Sequence, residues 1–152
     1  MTDVHSKKIR SKNMAAIKSK NTKPELIIRK ALFAKGFRYK LHDKKLPGKP
    51  DLVFPKYHAV IFIHGCFWHR HKNCHLFKWP KSRKDFWKKK INRNVEVDKQ
   101  NYIKLKQQEW YILTVWECAI KGKSKLSFDK LVNDICIWLE SGVKDKVIKG
   151  KE

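Results

Sequence analysis

Three short stretches of this chain are almost purely apolar: Leu52-Val53-Phe54, Ala59 to Ile63, and Tyr111 to Trp116. Each is short for a helix and lacks polar alternation, the pattern of strands covered on both faces. The flanking sequence supplies the covering helices. Thr22-Lys23-Pro24-Glu25 opens one with a cap, a first-turn proline and a T-x-x-E capping box. Ile27, Ile28, Ala31 and Leu32 give it an apolar face, and Gly36 ends it. Phe37 to Leu41 reads as a short strand, Leu46 to Pro50 as a turn, and Pro55 to Tyr57 as a tight connection between strands. A long helix starts near Ser82, with an inward stripe of Trp87, Ile91, Val95, Asp98, Tyr102 and Leu105. A last helix runs from the cap Ser127 through Phe128, Leu131, Ile135 and Trp138 to Gly142. This order predicts an α/β fold, a small mixed sheet flanked by helices.

A length of 152 residues allows one core. The expected organisation is a basic arm over 1–21, a domain over 22–142 and a polar, frayed tail over 143–152. Lys and Arg total 37 against 14 Asp and Glu, a formal charge of +23. Self-repulsion at that charge points to a polyanionic partner, and nucleic acid is the first to test. A membrane partner is disfavoured: the apolar runs are far too short to span a bilayer, and the N-terminus has no signal-peptide character. The expectation is a soluble, cytosolic protein whose four cysteines are thiols or metal ligands. The arm reads either as a solvated tail or as a segment that orders on DNA.

Acids are scarce, so their positions carry information. Asp51 is the only carboxylate between Lys44 and Lys84 and heads a strand. It is a candidate Mg²⁺ ligand, or else an ordinary carboxylate paired with a lysine. Asp98 falls on an apolar stripe and needs a partner, as a structural group or as the acid that orients a catalytic histidine. The segment His64 to His75 holds four of the seven histidines and two of the four cysteines. Cys66, His71 and Cys74 are close enough in sequence to share a tetrahedral Zn²⁺. Cys118, at the end of a buried strand, is the better fourth ligand, and Cys136 reads as core. Four protein ligands close a site, so this zinc would be structural. His64 and His69 are then left to accept a proton, to pack, or to substitute as zinc ligands. Phe67-Trp68 reads as core or as a wedge between base pairs. Trp87, Lys90 and Asn94 share one side of the long helix and suit base edges, and the lysines around them suit phosphates.

Five segments together resemble the very short patch repair (Vsr) mismatch endonucleases. They are Arg10 to Met14, Leu46 to Asp51, Val60 to His69, Asn94 to Asp98, and Val115 to Ala119. The resemblance implies a restriction-endonuclease-like fold with a structural zinc site. It also implies Mg²⁺-dependent nicking of one strand, 5′ to the thymine of a T·G pair left by deamination of 5-methylcytosine. Carried over, Asp51 and the backbone carbonyl of Ile63 hold Mg²⁺, and His69 is the general base. His64, Asp98 and Glu25 support the centre, and Cys66, His71, Cys74 and Cys118 bind Zn²⁺. Met14, Phe67 and Trp68 form the wedge, while Trp87, Lys90 and Asn94 flank and read the mismatch. The strand His58 to Gly65 lacks the acid of the usual D/E-x-K pattern, an oddity the family shares.

The implied setting is the bacterial cytoplasm, at the nucleoid. The implied partners are double-stranded DNA with a T·G mismatch and downstream repair proteins. A single nick needs one active site, hence a monomer. Two competing readings remain: a non-catalytic zinc-stabilised DNA-binding protein, and a restriction endonuclease acting on matched DNA.

Overall fold

A computed structural model describes residues 22–141 and 144–151. The arm, with Met14, and the expected stop at Gly142 lie outside the described residues. The elements are α1 (Lys23–Ala34), β1 (Lys40–Leu41), β2 (Leu52–Phe54), β3 (Ala59–His64), α2 (Lys84–Gln107), β4 (Tyr111–Trp116), α3 (Phe128–Ser141) and β5 (Lys146–Ile148). They build one five-stranded sheet in the order β1-β2-β3-β4-β5. β1, β2 and β3 pair antiparallel, whereas β3-β4 and β4-β5 pair parallel, each parallel pair joined through a helix.

Side chains alternate across the sheet with period two. Leu52, Phe54, Ile61, Leu113 and Val115 face a core built with Ile28 and Leu32 of α1 and Leu131, Ile135, Trp138 and Leu139 of α3. Val53, Val60 and Ile112 face the other way and meet Leu105 of α2. Both faces are covered, so the strands need no polar alternation and the three apolar runs are explained. Among the described residues, no helix is long and apolar enough to cross a membrane.

Three local expectations require correction. The capping box does not form: Thr22 makes no side-chain cap. Glu25 instead turns inward, 1% exposed, with charge-assisted contacts to Arg29 (2.8 Å) and His42 (2.9 Å). The inward stripe of α2 is fully buried at Ile91 and Leu105, but Tyr102 is exposed. Leu105, one turn on, returns to the core, and Tyr102 instead directs its hydroxyl to Asp145. The tail is not frayed. Residues 146–148 form β5, and Ile148 is buried against the main core.

Asp145 ties that last strand to the rest. It accepts bonds from the Ile112 amide (2.9 Å), the Lys106 ammonium (3.0 Å) and the Tyr102 hydroxyl. Burial alone would raise the Asp145 carboxyl, but the Tyr102, Ile112 and Lys106 donors outweigh it and hold the group below the usual carboxylate range. Asp145→Asn is expected to cost about 1.5–3 kcal/mol in urea unfolding at pH 7. A carboxylate depressed in the fold stabilises above its unfolded pKa and loses that contribution as pH falls through the folded value. The difference between wild type and variant should therefore shrink below about pH 4.

Candidate active site

The site is assembled at the carboxyl ends of β3 and β4, where ligand sites of α/β sheets gather. Asp51 immediately precedes β2. Its Oδ2 accepts the Ile63 amide of β3 at 2.7 Å. The Leu41↔Leu52 pairing puts His42 opposite Asp51, and the His42 amide donates to the Asp51 carbonyl at 3.2 Å. His42 adopts a left-handed backbone (φ 47°), and its ring meets Glu25 at 2.9 Å and Asp51 Oδ1 at 3.9 Å. Glu25, His42 and Asp51 thus offer ligand atoms within 4.8 Å of one another. Burial raises the Asp51 carboxyl most, the Ile63 amide lowers it, and the Glu25 charge adds to the rise, leaving it at about 6.

One residue beyond Ile63, His64 ends β3. Its ring lies flat on His69, centroids 3.8 Å apart and planes 4° off parallel, with Trp116 of β4 edge-on at 5.3 Å. Burial, with the neighbouring His69, holds the His64 imidazole well below its usual pKa, so it stays neutral. His69 Nδ1 lies 2.6 Å from Asp98 Oδ2. A carboxylate accepts, so Nδ1 carries a proton and Nε2 is the ring nitrogen left facing away from Asp98. The odd acid on the stripe of α2 has found its partner.

Past His64 the chain folds back on itself, with the His69 amide on the Gly65 carbonyl (3.2 Å) and the His71 amide on the Cys66 carbonyl (2.9 Å). That return brings Cys66, His71 and Cys74 together with Cys118, which follows β4 in a 3-10 turn over Glu117–Ala119. His71 Nδ1 lies 3.5 Å from both Cys66 Sγ and Cys118 Sγ. A tetrahedral Zn²⁺ with ordinary Zn–S and Zn–N bonds has an edge of about 3.5 Å. Amides of Cys118 and Gly150 point at the sulfurs of Cys66 and Cys118, each at 3.3 Å, as thiolates require. Gly150 permits that approach: a Cβ there would lie 2.5 Å from the Cys118 carbonyl. Burial raises the Cys66 and Cys118 thiols more than the amides facing them lower them, and Cys74 adds to the rise in both, so a cation would be needed to hold them ionised. Burial, then Lys149, lowers His71, which therefore presents a neutral imidazole to the sulfurs. His75 is not in this cluster; its Nδ1 lies 3.5 Å from Ser124 Oγ.

Phe67 and Trp68 pack edge-on to each other at 5.1 Å and against Trp87 of α2 at 5.4 and 5.9 Å. Asn94 donates to the Trp68 carbonyl at 3.0 Å, so it braces this loop, while Lys90 is exposed. The structure brings Asp51 beside Glu25, His64 and His69 beside Asp98, the four Cys and His of the sulfur cluster beside one another, and Phe67 and Trp68 against Trp87, whereas Lys90, His75 and Cys136 join none of these groups. His42 was missed. The one available signal was its place just past the strand read over Phe37 to Leu41, and sequence does not give that strand's pairing register with the Asp51 segment.

A profile of the family described as "DNA mismatch endonuclease Vsr" matches residues 2–76. The chain is 44% identical to the DNA mismatch endonuclease Vsr of Escherichia coli (strain K12) over 139 residues, covering 91% of this chain and 88% of that protein. It is 45% identical to the type II nicking enzyme V.NmeAIP of Neisseria meningitidis serogroup A over 137 residues (89% and 97% covered). It is 43% identical to V.XorIIP of Xanthomonas oryzae pv. oryzae over 126 residues (83% and 92%). Likeness of that extent, over nearly the whole length of both partners, makes this chain a member of the Vsr family of DNA mismatch endonucleases.

Proposed function

We propose that this DNA-repair endonuclease nicks one strand of duplex DNA, 5′ to the thymine of a T·G mismatch, with Mg²⁺ as cofactor. One continuous run of contacts supports the reading most. Asp51 is fastened to Ile63, the next residue is His64, and His64 lies flat on a His69 oriented by Asp98. A carboxylate and an imidazole oriented by Asp98 thus lie near the carboxyl end of β3, as metal-assisted hydrolysis needs.

Asp51, with Glu25 beside it, would offer Mg²⁺ the hard oxygens it takes, and the repulsion between the two carboxylates favours a cation there. The Ile63 carbonyl is the further oxygen the family resemblance adds. When bound, Mg²⁺ would supply positive charge to the phosphate oxygens and the departing oxygen. The chain's own groups do the rest. His69 Nε2 takes the proton of the attacking water, and Asp98 holds the ring and stabilises the imidazolium that results. His64 stays neutral beside it, so no second positive charge opposes that protonation. His42 and Arg29 hold Glu25 in place.

Cys66, His71, Cys74 and Cys118 would hold a structural Zn²⁺ that fixes the Phe67-Trp68 loop. That loop, with Met14 of the arm, wedges the helix open. A wobble pair is easier to unstack than a matched pair, which favours the mismatch. Trp87 and Asn94 brace the wedge, and Lys90 lies exposed toward the DNA. The working unit is one copy of the chain, acting at the nucleoid ahead of other repair proteins.

Strand-specific nicking of T·G and C·G duplexes, with Mg²⁺ and without it, tests the reading. Rapid metal-dependent nicking of T·G alone is expected. Equal nicking of C·G would favour a restriction activity, and binding without any nicking would leave a DNA-binding module. Asp51→Asn should lose at least 100-fold in rate yet bind the duplex about as well as wild type. Because Asp51 keeps its proton up to about pH 6, protons compete with the metal below that pH. The Mg²⁺ concentration for half-maximal nicking should rise about tenfold per pH unit there. Cys118→Ser is expected to lower bound zinc and the melting temperature, whereas His75→Ala should leave zinc content at one per chain.

A further inference from the structure

The aromatic residues around the wedge do not stop at the wedge. Six rings form one unbroken series: Trp79, Phe77, Phe67, Trp68, Trp87 and Phe86. Successive contacts run from 5.1 to 5.9 Å between centroids. The inner rings are half-buried and brace one another, whereas the ends, Trp79 and Phe86, are 43% and 44% exposed. An indole left open to water at the end of a packed series contributes little to the fold. Its surroundings indicate what covers it. Residues 78–90 hold seven Lys or Arg against one acid, Asp85, so the patch is complementary to a polyanion. An aromatic surface framed by positive charge is the combination that receives nucleotides, through stacking and phosphate neutralisation. Arg83 already lies over the Phe86 ring, 4.3 Å from its centroid. Pro80 follows Trp79 and restricts its backbone to extended conformations, which lowers the entropy lost when the ring is fixed by a ligand.

We infer that Trp79 is a DNA-binding residue that stacks on a nucleotide flanking the opened step, extending the wedge along the duplex through Phe77. This inference rests on the DNA-nicking reading. It assigns a specific contact to a ring two ring-contacts away from Phe67. Because Trp79 meets water over much of its surface, replacing it should leave the fold intact.

The test is the Kd of the full chain for a fluorescein-labelled T·G duplex, without added Mg²⁺ and at several salt concentrations. Losing one stacked base is worth roughly 5-fold or more in Kd. Trp79→Ala should weaken binding threefold or more at every salt concentration, Trp79→Phe should restore most of it, and Trp79→Leu should not. A loss under threefold for Trp79→Ala, or equal recovery by Phe and Leu, overturns the assignment. Thermal melting checks that each variant is folded. If Trp79→Ala fails to fold, the Phe and Leu variants decide, since both keep apolar bulk and only one keeps a flat ring. Wild-type protein that does not bind the duplex at any salt concentration would sink the DNA reading itself, a result distinct from failure of Trp79 alone.

Discussion

The parallel pairing of β3 with β4 is the interaction on which the rest depends. Its register runs from Ala59↔Tyr111 to His64↔Trp116, so both strands end at the same level. The chain leaving β3 carries Cys66 two residues on, and the chain leaving β4 carries Cys118 two residues on. Equal strand ends therefore place two sulfurs, 52 residues apart in sequence, side by side, with the Cys118 amide 3.3 Å from Cys66 Sγ. The same strand ends hold His64 against Trp116 and hold His71 flat on that tryptophan, 4.1 Å between centroids. A one-residue slip of this register would send β3 side chains to the wrong face and separate the sulfurs. The antiparallel partner β2 works from the other side and presents Asp51 to the Ile63 amide.

In a chain of charge +23, the acids at the site are committed rather than free. Glu25 is buried between Arg29 and His42, Asp98 orients His69, and Glu117 accepts the Cys66 amide at 3.1 Å. Lysine is abundant and exposed, which suits contacts that position DNA without reading it. The few carboxylates are held by directed bonds from backbone amides, histidines and arginine, which suits chemistry that requires fixed geometry. The two metal-ligand groups differ in the same way. The sulfur cluster sets four possible ligands around one point, whereas of the carboxylate pair Glu25 is buried and Asp51 alone is partly exposed.

Much of this was legible from local pattern. The apolar runs marked β2, β3 and β4, and the dense His/Cys segment marked the loop that carries three of the four clustered Cys and His residues. Asp51 and Asp98 stood out because each broke its local pattern, an acid among lysines and an acid on an apolar stripe. The failures share one cause, competition from distant partners. The Thr22-Glu25 box lost to Arg29 and His42, which offer a buried carboxylate stronger bonds than a helix terminus does. The polar tail reads as disordered, yet Ile148 reaches the core and Asp145 collects three donors from α2 and β4.

By itself, the sequence determined the α/β class, the strand runs, the basic binding character and the residue types of both metal-ligand groups, because periodicity, charge and ligand spacing are local properties. Only the tertiary structure decided that His42 faces Asp51, that His64 lies flat on His69, that β5 completes the sheet and that Gly150 reaches Cys118. Those contacts join segments far apart in the chain, and strand register and close backbone approach, not composition, select them.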